Sequence, residues 1–354
     1  MNSASPISTS KISSLQVREM LPADSANWDA FVFACPQATF FHRAGWKEII
    51  ERAFGHTTYF LLAEENGAVK GVLPMAEINS RLFGHSLSSL PFCVYGGVVA
   101  TSDAARHALD EAAQALAKER NVDYLEYRNI NPFNTKWPRK DLYFTFRKEI
   151  NPDLEANLLA IPNRRRAMIR KGIKNGLVSE LDKNVDRFFS VFAANVHRHG
   201  TPALPKKYFS LLMEIFGKDC EVLSVVKDGK VLSSVLSFYF RDEVLAYYAG
   251  DTEEARDLAA NDFKYWELMR RACERGIKVF DYGRSKRGTG TYDFKKNWGF
   301  EPQLLNYEYQ LHRATRVPDT NPLNPKYQLF IKLWRKLPLP VANWIGPHIV
   351  KNLG

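Results

Sequence analysis

Two stretches of this 354-residue chain gather side chains that can hold an anion and manage a proton. The first is Arg164-Arg165-Arg166-Ala-Met-Ile-Arg170-Lys171-Gly-Ile-Lys174, in which six of eleven residues are cationic. On a helix, Arg166, Arg170 and Lys174 fall at i, i+4 and i+8, with Ile169 and Ile173 as an adjacent apolar stripe. Like charges at that spacing repel, so the run is either a solvated face or a seat for an anion. A phosphate-bearing partner is the simplest such anion, because a guanidinium matches its geometry in a bidentate way.

The second stretch runs from Asp281 to Phe300. A buried strand is expected to end at Asp281. A flexible glycine-rich cationic loop with Arg284, Ser285 and Lys286 follows, and then a short segment carrying Tyr292, Lys295 and Trp298. Loops at strand ends commonly hold ligands, and backbone N–H groups of glycine-rich loops can bind anions. A plain solvent loop is the competing reading. Neither the Walker nor the Rossmann spacing occurs. An acetyl-coenzyme A loop of the form Arg/Gln-x-x-Gly-x-Gly would need Arg or Gln where Ser285 stands. Cys35, Cys93, Cys220 and Cys273 are far apart and form no CxxC pair, which speaks against a zinc site and a disulfide framework. No metal site is expected.

The elements that carry these stretches occur twice. Tyr59–Ala63 and Val69–Ile78 read as strands around the Asn66-Gly67 turn. An alanine-rich helix from about Asp103 to Arg120 and a strand at Tyr124–Arg128 follow. In the second half, Val222–Val226 and Val231–Phe240 flank Asp228-Gly229. A strand at Val244–Ala249, a helix at Asn261–Glu274 and a strand at Val279–Arg284 complete the set. Hairpin, helix and buried strand, seen twice, give an α+β fold made of a duplicated unit, with a cleft at or near the join. The expected divisions are a disordered segment 1–14, a first domain 15–150, a second domain 151–312, and a linker and tail 313–354.

The strings Phe41-His-Arg-Ala-Gly-Trp46, Phe54-Gly-His56, Gly71-Val-Leu-Pro-Met75, Leu82-Phe-Gly84, Ser89-Leu-Pro-Phe92, Tyr95-Gly-Gly97, Ile169-Arg-Lys171, Gly283-Arg-Ser-Lys286 and Phe294-Lys-Lys-Asn-Trp-Gly299 resemble the Fem-type (FemAB-like) peptidyltransferases. They are most similar to the subgroup associated with PEP-CTERM and exosortase systems. The resemblance spans roughly residues 30 to 311, and its last string is the most specific. It implies two tandem GNAT-like domains and acyl transfer to an amine, classically from aminoacyl-tRNA to a peptidoglycan precursor. The long coiled-coil arm that some members insert in the second domain is lacking here.

Acyl transfer needs an amine nucleophile, a stabilised oxyanion and a route for the amine proton. Lys295 matches the lysine of the family's Phe-Lys motif, so the resemblance implies that it stabilises the oxyanion or a precursor phosphate. Arg166, Arg170, Lys171 and Arg284 are the candidates to hold a diphosphate, with Ser285 beside them. Asp281 would accept the proton or orient Arg284. Tyr248 and Tyr292 are candidate substrate contacts, with core packing as the alternative for Tyr248. His197 and His199 have no visible partner for base catalysis.

Composition bounds the rest. Lys plus Arg total 49 against 39 acids, a net +10, and the apolar fraction of 45% supports sizeable cores. Lys326–Leu337 reads as an amphipathic helix, with Leu329, Phe330, Leu333, Trp334 and Leu337 opposite Lys332, Arg335 and Lys336. A second apolar stretch, Val341–Val350, follows. Such a tail suits a membrane interface or the protein's own core. No apolar run of about 18 residues and no apolar leader occur, so the expectation is a cytoplasmic protein, peripheral at the inner membrane face. The leading reading is an acyl or aminoacyl transferase with no bound cofactor. Its co-substrate would be aminoacyl-tRNA or acyl-CoA, and its acceptor an anionic envelope or exopolysaccharide precursor. The alternatives are an acetyl-CoA-dependent N-acetyltransferase and a non-catalytic anion-binding export component. DNA is not an expected partner, because no recognition motif accompanies the charge.

Overall fold

The computed structural model describes residues 15–81, 83–134, 136–318 and 325–353. The segment expected to be disordered, 1–14, and residues 319–324 of the expected linker lie outside the described residues.

Both hairpins form where the turn chemistry places them. Asn66 and Gly67 have φ of 53° and 78°, and Asp228 and Gly229 have 49° and 75°. Positive φ at both central positions is what a type I′ turn requires. They join Thr58–Glu65 to Ala68–Ser80, and Cys220–Lys227 to Lys230–Phe240. In each half a further antiparallel strand follows, Gly84–Ser89 in the first and Glu243–Asp251 in the second. Each then pairs in parallel with a strand reached through a helix. Helix Asp103–Glu119 leads to Tyr124–Asn129, and helix Ala260–Glu274 leads to Val279–Asp281. The first helix is capped by Ser102, whose side chain accepts from Ala105 N, and buries Ala105, Leu109, Ala113 and Ala117 along one face.

The two sheets exchange strands. Asn306–Leu311, late in the chain, pairs with Tyr124–Asn129 in the first sheet. Arg147–Glu149, from before the boundary expected at 151, pairs with Val279–Asp281 in the second. A small third sheet, in which Tyr143–Thr145 lies between Ser285–Lys286 and Gln303–Leu304, ties the exchange together. The largest apolar core runs across the join, so that Phe40 stacks on Phe238 at 4.3 Å and Phe41 packs on Tyr247. All four cysteines are free and buried.

The structure corrects two helical details. In helix Asn163–Lys174, Ile169 is buried but Ile173 is exposed, so the apolar stripe is one residue wide and Gly172 completes the contact by closing on Phe263. In helix Pro325–Trp334, Trp334 is buried while Leu329 and Leu333 are exposed, so Trp334 leaves the face expected for it. A docked helix buries the residues that meet the body, and periodicity alone does not say which side that is.

Candidate functional site

The parallel strands of the second half run in register only from Glu243↔Val279 to Leu245↔Asp281. Beyond that pair they separate. A register shift between Leu236 and Ser237 leaves Tyr247 outside the ladder, and Tyr247 and Tyr248 are half-buried beside the separation. Residues 282–284, expected as strand, leave the sheet. Gly283 permits this with φ of 65°.

The corresponding opening in the first half is filled. There the register ends at Ser89↔Tyr127, and the returning segment closes it, with Gly96 N donating to Arg128 O at 2.8 Å. A Cβ on Gly96 would stand 1.6 Å from Ser89 O, so the closure demands glycine.

Lys295 holds the loop that leaves the sheet after Asp281. Its helix, Gly290–Asn297, starts at Thr289, whose side chain accepts from Tyr292 N. Lys295 Nζ donates to the carbonyls of Gly283 at 2.9 Å and Arg284 at 3.2 Å, and lies 5.6 Å from the Phe146 ring centre. Burial pushes its pKa down to about 7. The nearby Asp281 carboxylate resists that shift and the Arg284 charge adds to it.

Arg284, whose carbonyl Lys295 holds, is exposed. Its guanidinium stacks on Tyr143 at 4.6 Å and donates to Tyr307 Oη at 3.1 Å. Among the described residues it forms no ion pair with a carboxylate, unlike the buried Arg128, which is held by Glu126. An exposed guanidinium fixed between aromatic rings, with its charge unmatched, is prepared for an incoming anion.

Asp281 is fully buried and does not bond Arg284, contrary to the orienting role expected for it. Its oxygens accept from Tyr95 Oη at 2.6 Å, Thr145 Oγ1 at 3.0 Å and the Gly283 N–H at 2.6 Å, and Arg147 Nε lies at 3.5 Å. It therefore pins the start of the loop, because its partners come from the first half, the crossover and the loop itself. Arg147 also pairs with Glu243. Burial and the adjacent Asp281 charge raise the Glu243 pKa to about 8, against the pull of Arg147. Of the two carboxylates, Asp281 has the fuller set of donors. Glu243, Arg147 and Tyr95 line a cavity of about 370 Å³ at the join, walled also by His42, Arg106, Phe133 and Phe240.

Ser285 is buried in the small sheet opposite Phe144. Tyr292 packs edge-on against Phe144 and Phe146, and Tyr248 shares a hydrogen bond with Tyr208 Oη at 3.1 Å. Arg166 bonds Asn163, whereas Arg170 and Lys171 are exposed. None of these three lines the join cavity. The basic helix reaches the site through Arg165, which stacks on Phe294 at 5.1 Å and pairs with Asp262, itself bonded to Trp298 Nε1. Arg147, Glu243, Tyr95 and Thr145 were not foreseeable as a group, since only the strand exchange brings them together. Among the described residues no cluster of three His, Cys, Asp or Glu side chains could hold a metal ion.

Residues 163–296 match the acetyltransferase (GNAT) domain. The matched span contains the open splay, Arg284 and Lys295, and excludes the closed one. No curated protein matches the chain. Among solved structures, FemX is similar over 89% of this chain and 100% of its own, at 15% identity and a TM-score of 0.65. The C-terminal domain of a putative lysylphosphatidylglycerol synthetase from Agrobacterium fabrum covers 82% of this chain and 92% of its own, at 14% identity and a TM-score of 0.56. A tandem GNAT protein from the clavulanic acid biosynthesis pathway covers 86% of this chain and all of its own, at 12% identity and a TM-score of 0.54. The fold is thus a tandem GNAT fold with a helical tail, and the chain carries a GNAT acyltransferase domain in its second half.

Proposed function

We propose that the protein transfers an acyl or aminoacyl group to an amine on an anionic cell-envelope or exopolysaccharide precursor. The observation that carries this reading is the pair of cations on the loop after Asp281, Arg284 exposed and unpaired by a carboxylate among the described residues, and Lys295 buried on the carbonyls of Gly283 and Arg284. In the reaction the amine nitrogen bonds to the acyl carbon. The C–O bond of an aminoacyl ester, or the C–S bond of a thioester, breaks. The amine proton leaves, and the oxygen or sulfur of the donor departs with the electron pair. Lys295 balances the negative charge that develops on the carbonyl oxygen, and Arg284 holds a phosphate or carboxylate of the acceptor. Arg166, Arg170 and Lys171 would extend the cationic track along the basic helix, and Tyr248, Tyr292 and Ser285 would shape the wall. Asp281 holds the loop. The donors considered, aminoacyl-tRNA and acyl-CoA, place the reaction on the cytoplasmic side.

The motif resemblance to the PEP-CTERM-associated proteins favours an exopolysaccharide or envelope acceptor. The test is mass spectrometry of envelope precursors from cells with the wild-type protein, with Lys295→Met, and without the protein. An acyl or aminoacyl mass increment seen only with the wild type supports the reading. An increment that persists with Lys295→Met removes Lys295 from the chemistry. Turnover of acetyl-CoA on simple amines with no envelope product replaces the reading with an N-acetyltransferase.

A further inference from the structure

The two tail helices, Pro325–Trp334 and Leu339–Val350, are half used by the fold. One side is docked. Ile331 sits on Gly200, Gly346 lies against Ala203, and Trp334 and Ala342 are buried. Arg335 donates to His199 O, and the His56 ring nitrogen lies 2.6 Å from Lys351 O. The other side is apolar and uncovered: Trp344 is 73% exposed, Leu329 63% and Leu333 58%, with Phe330 and Val341 beside them. Exposed apolar residues scattered singly need no explanation, but five on two adjoining short helices do.

Charge selects the occupant. No acidic residue follows Asp319, whereas Lys332, Arg335, Lys336 and Lys351 all lie on these helices or just after them. At helical spacing, Lys332 and Lys336 flank the strip of Leu329 and Leu333. We propose that this face seats the protein on an anionic phospholipid bilayer, with Leu329, Phe330, Leu333 and Trp344 entering the acyl boundary and the lysines meeting the headgroups. Helices of 10 and 12 residues cannot span a bilayer, which takes about 20, but they can lie in its interface. An exposed tryptophan suits that interface, since its ring is apolar and its N–H stays near water. The docked side fixes the orientation. His56, held by Lys351 O, stacks on Phe92, and Phe92 O accepts from Tyr247 Oη at 2.6 Å, beside the point where the parallel strands separate.

The inference does not depend on which group is transferred. The test is flotation of the full chain with vesicles of phosphatidylcholine alone, or of phosphatidylcholine mixed with phosphatidylglycerol. Binding is expected only to the mixture and is expected to fall with salt. Lys332→Gln and Lys336→Gln should each weaken it about fivefold, the equivalent of about 1 kcal/mol per charge at the surface. Leu333→Glu combined with Trp344→Ser should abolish it while circular dichroism stays unchanged, since both side chains are exposed. Wild type that stays soluble with anionic vesicles overturns the proposal, as does equal binding by the double variant. Sedimentation velocity without lipid tests the rival occupants. A wild-type dimer that the double variant turns into a monomer assigns the face to a second copy instead. Transfer to a water-soluble acceptor should be unchanged in these variants, so loss of vesicle binding and loss of the transferase reading are separate outcomes.

Discussion

The Lys295 ammonium lies 2.9 Å from the carbonyl oxygen of Gly283 and 3.2 Å from that of Arg284, so the buried cation holds the backbone of the loop that presents the exposed one. Lys295 thereby joins two tasks, shaping the turn after Asp281 and supplying positive charge under the opening. Lys295→Met keeps the volume and removes both. Turnover should fall by about 10²- to 10³-fold, the range seen for a lost oxyanion donor. The two carbonyls left without a partner should cost about 1–3 kcal/mol, read from a denaturant midpoint.

The pH profile should follow the same lysine. A role as a cation requires the proton, and burial brings its loss to about 7. The rate per active site should therefore decline above about pH 7, where an ordinary lysine would stay charged to about 10.4. Stability moves the other way. Between about 7 and the unfolded value the unfolded chain holds the extra proton, so this group makes folding more favourable as pH rises through that window. A pH–rate profile beside pH-dependent denaturation separates the two effects.

Glu243 gives the opposite slope. Its folded pKa is raised to about 8 from 4.5, so the folded protein keeps a proton that the unfolded chain has lost. Stability contributed by the neutral carboxyl is present below 4.5 and is lost as pH rises towards 8. Glu243→Gln should flatten that loss when denaturation midpoints are compared at pH 5 and pH 8.

Arg284→Ala should raise KM for an anionic acceptor by about tenfold to a hundredfold, the worth of one hydrogen bond to a charged group, and lower stability by about 1–2 kcal/mol through loss of the Tyr143 stacking and the Tyr307 bond. A paired Arg170→Ala and Lys171→Ala variant tests whether the basic helix shares the ligand. If it does, KM rises and its salt dependence weakens.

Asp281→Asn should act on the fold first. The carboxylate accepts from a phenol, a hydroxyl and a backbone N–H with a guanidinium beside it, and an amide would turn a donor towards donors. A loss of about 2–3 kcal/mol in chemical denaturation is expected, with residual activity per folded molecule.

The turns and strands were readable because their signals are local. Asn66-Gly67 and Asp228-Gly229 each fix a hairpin within a few residues, and the alanine face from Ala105 to Ala117 announces its helix. Arg284 and Lys295 were readable because they lie within one short stretch of sequence. The network around Asp281 was not, since Tyr95, Thr145, Arg147 and Glu243 are separated by up to about 150 positions and meet through strand pairing that no local pattern encodes. The side of the tail that docks was equally hidden. Trp334 and Leu333 are neighbours of similar apolar character, and only the body at Gly200 and Ala203 decides which one is buried.

The traded strands also bear on how the chain can be made. During synthesis the first sheet lacks Asn306–Leu311 until nearly the whole protein has left the ribosome. A fragment ending near residue 150 would carry Tyr124–Asn129 as an uncovered edge, together with an orphaned Arg147–Glu149, inviting association with other nascent chains. Neither half is a self-sufficient building block, and gene truncations meant to isolate one should yield aggregated material where the intact product is well behaved.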